Sequence, residues 1–201
     1  MAQPIDEGQR GADAVKAALI DATAARLSEA GPSSVSVRDI ARRAGVNHGQ
    51  VHHYFGGKRG LLVAAMRKLA RDHFLRIGER SGGGAIPPAF SLADDPDYWR
   101  AVCQVMMEGD FELARIEVDE GMSVPRRALD ALMERYAIAP DDLDFKARFA
   151  AITALQLGWV ALEDFIMLVS DVADEDRDEV RERAKGLLEE WVDRSLAGAR
   201  P

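Results

Sequence analysis

Asn47, His48, Gln50, His52 and His53 crowd hydrogen-bonding side chains of mixed donor and acceptor character into one short segment, with Arg38 before it and Tyr54 and Lys58 after it. Such a mixture suits base edges, where glutamine pairs with adenine N6 and N7. The flanking cations suit phosphate, which gives affinity without sequence information. His48 and His52 stand one helical turn apart, which also raises a metal reading. No glutamate of an HExxH pattern accompanies them, so no metal is expected. Catalysis finds no support either. The chain has no Gly-rich phosphate loop and no GxSxG elbow, and Ser123, Asp119, Glu163 and Asp164 read as ordinary helix-surface groups. No catalytic residue and no cofactor is expected.

The elements that must position this chemistry are punctuated in Ser36 to Phe55, SVRDIARRAGVNHGQVHHYF. Ser36 can N-cap a first short helix with Asp39 at the reciprocal position, and Asn47 with Gln50 can repeat that box for a second. Gly45 stands where the intervening turn needs a left-handed residue. Ile40, Ala41, Ala44, Val46 and Val51 are apolar and mostly small, so the two helices can cross closely and leave their other faces polar. This spacing predicts a helix-turn-helix. Its second helix, about 48–54, would enter the major groove, where Gly49 permits close approach. Upstream, Leu19, Ile20, Thr23, Leu27 and Ala30 recur at helical spacing and stop at Gly31-Pro32, predicting a first helix from about 12 to 30.

Charge is divided along the chain. Residues 1–80 carry 13 Lys and Arg against 8 Asp and Glu, a balance of +5, whereas residues 81–201 carry 13 against 26, or −13. Only the first segment suits phosphate. The Gly82-Gly83-Gly84, Pro87-Pro88 and Asp94-Asp95-Pro96 cluster separates the two. Helical periodicity dominates throughout and strand alternation is missing, so an all-α chain is expected. The single Cys103 forms no internal disulfide, and the polar Met1–Arg10 stretch lacks a signal-peptide core, which together favour the cytoplasm. Ala147 to Val169 is the most apolar stretch, but Arg148, Gln156, Glu163 and Asp164 interrupt it. It reads as a buried helix, not a membrane span.

Residues 14–62 resemble the tetracycline-repressor (TetR) family of regulators. The resemblance rests on a first helix ending Leu27-Ser-Glu-Ala-Gly31, then Ser-Val-Arg-Asp-Ile-Ala, Ala-Gly-Val, Tyr54-Phe55, Lys58 and Leu61-Leu62. It implies a three-helix DNA-binding domain over 12–58, a fourth helix over about 58–80 as connector, and a larger helical ligand-binding and dimerisation domain over 81–201. It implies a homodimer that binds double-stranded, palindromic operator DNA as a repressor. By the resemblance His52, Tyr54 and Lys58 are backbone contacts, and Asn47, His48, Gln50 and His53 the base readers. Ser36, Arg38 and Gly49 complete the DNA-facing set. Two positions depart from the family pattern. His52 replaces the usual tyrosine, making that phosphate contact stronger when the imidazole is charged. Gly57 replaces the usual Ser, Asn or Asp cap of the fourth helix. The rival reading is a helical interaction or scaffold module without DNA binding.

In the acidic body, Val180, Ala184, Leu187, Leu188, Trp191 and Ser195 form one narrow stripe, while Ala147–Val169 is apolar nearly all round and is expected to be sandwiched. The resemblance assigns dimerisation to these segments, 143–169 and 175–197. Trp99, Cys103, Met106, Met107 and Phe111 recur after the linker, with Phe149, Gln156 and Trp159 able to face them. As flexible sulfur and flat aromatic groups, they are the candidate lining for a small apolar or aromatic effector, with Gln156 or Arg115 as polar anchor.

Overall fold

The computed structural model describes the backbone of residues 7–197 and the side chains of residues 11–195; the leader reading of Met1–Arg10 therefore falls almost wholly outside the described residues. Among these the chain is all helical: α1 (Glu7–Ala30), α2 (Val37–Arg43), α3 (Gly49–Phe55), α4 (Lys58–Arg80), α5 (Pro96–Met107), α6 (Phe111–Ala114), α7 (Ile116–Asp119), α8 (Val124–Arg135), α9 (Leu143–Val169) and α10 (Arg177–Ala197). The expected all-α architecture is present.

The chain gathers into two compact units, Met1–Leu75 with Asp95–Ser123, and Arg76–Asp94 with Val124–Pro201. This partition differs from a cut at the glycine and proline cluster. The reason lies in α5, which buries Tyr98, Ala101 and Val105 at helical spacing and packs along α1. Ser28 Oγ on α1 donates to the Asp97 carbonyl at 2.7 Å, fastening the start of α5. Leu19, Leu27, Ile40, Val51, Leu61, Met66 and Leu113 are fully buried, as are the small residues Ala41 and Ala65.

A polar group is buried in the same unit. His73 Nδ1 lies 3.0 Å from Asp95 Oδ2, and its ring stacks on Tyr98 with centroids 4.1 Å apart. The Tyr98 hydroxyl donates to Glu117, whose other oxygen accepts from Ser123 Oγ at 2.8 Å. Burial, then the Glu117 carboxylate, pushes the Tyr98 phenol well above its ordinary range.

In the second unit, Phe90 stacks on Trp159 with centroids 4.9 Å apart, over Ile152 and Leu188. Leu132 and Phe145 form a second cluster with Phe149 and Tyr136. Asp142 caps α9 by accepting from the Phe145 amide at 2.8 Å. Leu162 leaves helical geometry at φ −126°, ψ 16°, so α9 is two helical pieces across a kink.

Two apolar elements are only partly covered within the single chain. Within one chain α9 is covered on one side only. Phe145, Ile152 and Met167 are buried, but Leu143, Leu155, Leu162, Phe165, Leu168 and Val169 are exposed. The stripe on α10 likewise splits in two. Ala184, Leu188 and Val192 turn inward, four residues apart, whereas Leu187 and Trp191 face out. By length and composition α9 could cross a membrane. Its carboxylates have partners on α10: Glu163 accepts from Arg181 Nε at 2.6 Å, and Asp164 pairs with Arg177.

Candidate nucleic-acid interface

Ser36 is extended at φ −102°, ψ 124° and its hydroxyl accepts from the Asp39 amide at 3.4 Å, so it caps α2 as its position predicts. The reciprocal half is absent among the described residues. Asp39 Oδ1 instead accepts from Arg42 at 3.1 Å. Gly45 carries the turn at φ +69°, and the Val46 amide returns to the Ala41 carbonyl at 2.9 Å. Only glycine holds that left-handed conformation without a Cβ penalty.

The second capping box forms differently from its spacing. Asn47 Oδ1 accepts from the Gly49 amide, two residues on, at 2.8 Å, the tight side-chain turn open to asparagine. His48 occupies the cap position without a side-chain bond. A Cβ on Gly49 would lie 3.3 Å from Asn47 Oδ1, so the glycine also makes room for this turn. With Oδ1 engaged, Asn47 presents its NH2 as donor.

Val51 anchors α3 at full burial, together with Ile40 and Ala41 of α2. Opposite, Asn47, His48, Gly49, His52 and His53 are exposed, with Arg38 exposed on α2. Positions 48, 49, 52 and 53 share one side of a 3.6-residue helix. Tyr54 is half-buried, edge-on to His53 at 4.7 Å and under the Lys16 ammonium at 5.5 Å. Gln50 is half-buried, and its Oε1 is buried without a partner. The bidentate adenine pairing expected of Gln50 therefore needs that oxygen to turn outward, whereas His48 and His53 already face solvent.

The connection into α4 uses consecutive glycines. Gly56 ends α3 at φ +69° and Gly57 follows at φ +125°, a conformation that side-chain-bearing residues rarely adopt. The Gly57 carbonyl accepts from the Leu61 amide at 3.2 Å. The missing cap side chain is thus the cost of a backbone turn that only glycine makes readily. Gly60 sits against α3: a Cβ there would lie 3.0 Å from the Phe55 carbonyl carbon and closer still to its oxygen. Lys58 Nζ donates to the Ser33 carbonyl at 3.4 Å.

Residues 19–65 match the family described as bacterial regulatory proteins, tetR family. The chain carries the DNA-binding domain of the TetR family. Over 98 residues it is 38% identical to the HTH-type transcriptional regulator BetI 2 of Chromohalobacter salexigens, spanning 49% of this chain and 42% of that relative. A BetI of Burkholderia thailandensis is 49% identical over 57 residues, 29% of its length, so the match spans less than half of either relative. An HTH-type transcriptional repressor of Mycobacterium tuberculosis is 26% identical over 171 residues, 85% of each chain. Among solved structures, a candidate transcriptional regulator from Pseudomonas aeruginosa PAO1 superposes with a TM-score of 0.60 at 26% identity, over 97% of this chain and 94% of that one. A tetR-family transcriptional regulator from Streptomyces coelicolor gives 0.59 at 18% identity, over 92% and 83%, a likeness of fold.

The TetR-type domain contains every residue expected to face DNA. The effector candidates, by contrast, do not form one cluster within either unit. Trp99, Cys103, Met106, Met107 and Phe111 belong to the first unit, and Phe149, Gln156 and Trp159 to the second. Met106 and Met107 are exposed because the inward face of α5 is Tyr98, Ala101 and Val105, and Phe111, the first residue of α6, is exposed as well. Trp99 and Cys103 are half-buried, and burial raises the Cys103 thiol above its ordinary range. Arg115 is exposed on α7's start and reaches Asp119 at 3.5 Å. Three contributors to the TetR-type domain were not singled out in sequence: Lys16, Gly60 and Glu108. Glycine in the first turn of a helix was the available sign for Gly60. Contacts to Lys16 and Glu108 are tertiary and leave none.

Proposed function

We propose that this chain is a cytoplasmic, homodimeric TetR-family transcription regulator, a repressor that binds palindromic operator DNA and is released by a small apolar or aromatic effector. One observation supports the DNA reading more than any other: α3 is held by buried Val51 while Asn47, His48, Gly49, His52 and His53 stand exposed together. Arg38, Lys58 and Tyr54 flank that set, with Ser36 holding the start of α2, which divides phosphate positioning from base reading. Residues 12–58 serve DNA, 58–80 connect, and 81–201 take the effector and the second copy.

The exposed apolar faces of α9 and α10 supply the dimer contact, Leu162, Phe165, Leu168, Val169, Leu187 and Trp191 being open in the single chain. Two copies would hold their recognition helices about 34–36 Å apart, one turn of DNA. The effector favours a different spacing. In the second unit the Trp159 indole N–H is buried without a partner beside Phe90, which favours an aromatic ligand with one acceptor. Selection of bound sequences from a random duplex pool tests the proposal. A palindrome with half-sites about 10 base pairs apart is expected, and failure to enrich any sequence would sink it.

A further inference from the structure

The Glu108 carboxylate, at the end of α5, grips the turn that leads into the helix-turn-helix. Its Oε2 accepts from the Ser33 amide at 2.8 Å and its Oε1 from the Ser33 hydroxyl at 2.8 Å. Both donors belong to the connection between α1 and α2. The seat for the carboxylate is made by Gly31, where a Cβ would stand 2.5 Å from Glu108 Oε1. Gly31 thus serves twice, as the φ +77° terminator of α1 and as the space for an acid from α5. On its third polar side Ser33 is also held, its carbonyl accepting from Lys58 Nζ at 3.4 Å.

Immediately after Glu108, Gly109 turns the chain at φ +74° and delivers Asp110. Asp110 Oδ1 caps α6 through the Leu113 amide at 3.1 Å, while Oδ2 pairs with Arg59. The Arg59 guanidinium holds the Asp110 carboxyl below its ordinary range. Glu108 and Asp110 therefore take adjoining parts of the DNA-binding module, the α1–α2 turn and the start of α4. These bonds are exposed and contribute little to global stability. Their geometric effect is larger, since two acceptors on one carboxylate fix a direction as well as a distance.

We propose that Glu108 is a positioning residue for DNA recognition, its carboxylate setting the placement of α2 and Lys58 through Ser33. The inference rests on the DNA-binding function proposed for this chain and names a control point within it. Coulomb's law alone predicts the opposite consequence, because removing an acid near Lys58 strengthens attraction to phosphate. The sign of the effect therefore decides.

The test uses the full-length protein and the duplex that wild type enriches from a random pool, with Glu108→Ala, Glu108→Gln and Glu112→Ala compared. Glu112 pairs with Arg59 but does not touch Ser33, and supplies the electrostatic baseline. Glu108→Ala should bind about tenfold more weakly, as loss of a charge-assisted pair of bonds implies. Its melting temperature should hold and the Ser33 amide should exchange faster. Glu108→Gln, equally neutral but able to accept one bond, should fall between. Glu112→Ala should bind as tightly as wild type or more so. Glu108→Ala binding as well as wild type would overturn the proposal, as would an unchanged Ser33 exchange rate. If wild type binds no duplex, the proposed function falls and this role falls with it, while Ser33 exchange still reports whether the clasp exists.

Discussion

The carbonyl of Phe55, the last residue of α3, occupies the space that a side chain on Gly60 in the first turn of α4 would need. Helix propensity alone favours Gly60→Ala by up to about 1 kcal/mol. Overpacking against fixed backbone costs about 1–3 kcal/mol, and the clash wins because a carbonyl cannot change rotamer. Gly60→Ala should lower the unfolding midpoint and weaken DNA binding by displacing the recognition helix. Gly78→Ala in the same helix is the control. Nothing lies within 4 Å of its Cβ position, so it should be stabilising by about 0.5–1 kcal/mol. Equal shifts for the two, measured by urea denaturation, would refute the packing account.

On DNA the exposed and half-buried groups of α3 and the start of α4 should separate by function. Lys58→Ala and Tyr54→Ala should both weaken binding to every duplex, but only the loss of the Lys58 charge should lower the salt slope, by about 0.9, because a neutral tyrosine neutralises no phosphate. His53→Ala and His48→Ala should blur sequence preference, at about 1–3 kcal/mol per base contact. Gln50→Ala should do so less, because its Oε1 is buried in the free protein. Anisotropy titrations at several salt concentrations with matched and mismatched duplexes would show this. A Gln50→Ala effect larger than that of His53→Ala would mean that the side chain turns outward on binding.

The helix-turn-helix was legible because its constraints are local. Ser36, Gly45 and Val51 each announce a cap, a left-handed turn and a buried anchor within a few residues. Asn47 shows the limit of that reading, since a capping box and a tight asparagine turn share one signature and Gly49 decided between them. The placement of α5 was not legible from the glycine and proline cluster. A linker marks a change of direction, while the partner chosen afterwards depends on a tertiary contact, here α5 burying Tyr98, Ala101 and Val105 and packing along α1. The same burial sets the exposure of Met106 and Met107, which share α5 with those three residues but lie off its buried face.

Alkaline pH should act through Tyr98. Its folded pKa is raised well above 10.0 by burial and by Glu117, whereas an unfolded chain releases the proton near that ordinary value. The contribution is therefore complete below about pH 10 and is lost as pH rises toward the folded pKa, by at most about 1.4 kcal/mol per unit. Tyr98→Phe keeps the ring on His73 but removes the titrating group. It should be less stable at neutral pH by about 1 kcal/mol, the hydrogen bond to Glu117 being gone. Its decline above pH 10 should be shallower. Parallel declines in urea midpoints from pH 8 to 11 would exclude Tyr98 as the source.

The C-terminal half of α9 makes the strongest demand for a second surface. Phe165 is 60% and Leu168 74% exposed, while Leu187 on α10 is 67% exposed. Burying one such side chain contributes about 1.5–3 kcal/mol, and a twofold axis doubles each contribution because both copies present the same patch. Phe165→Glu with Leu168→Glu should therefore convert a micromolar solution from dimer to monomer by sedimentation velocity. Neither residue reaches into the Phe90, Ile152 and Leu188 cluster, so helical content should be retained. The monomer should still touch single half-sites weakly but lose the palindrome, since one recognition helix reads only half of it. A dimer that survives both substitutions would place the contact elsewhere on the chain.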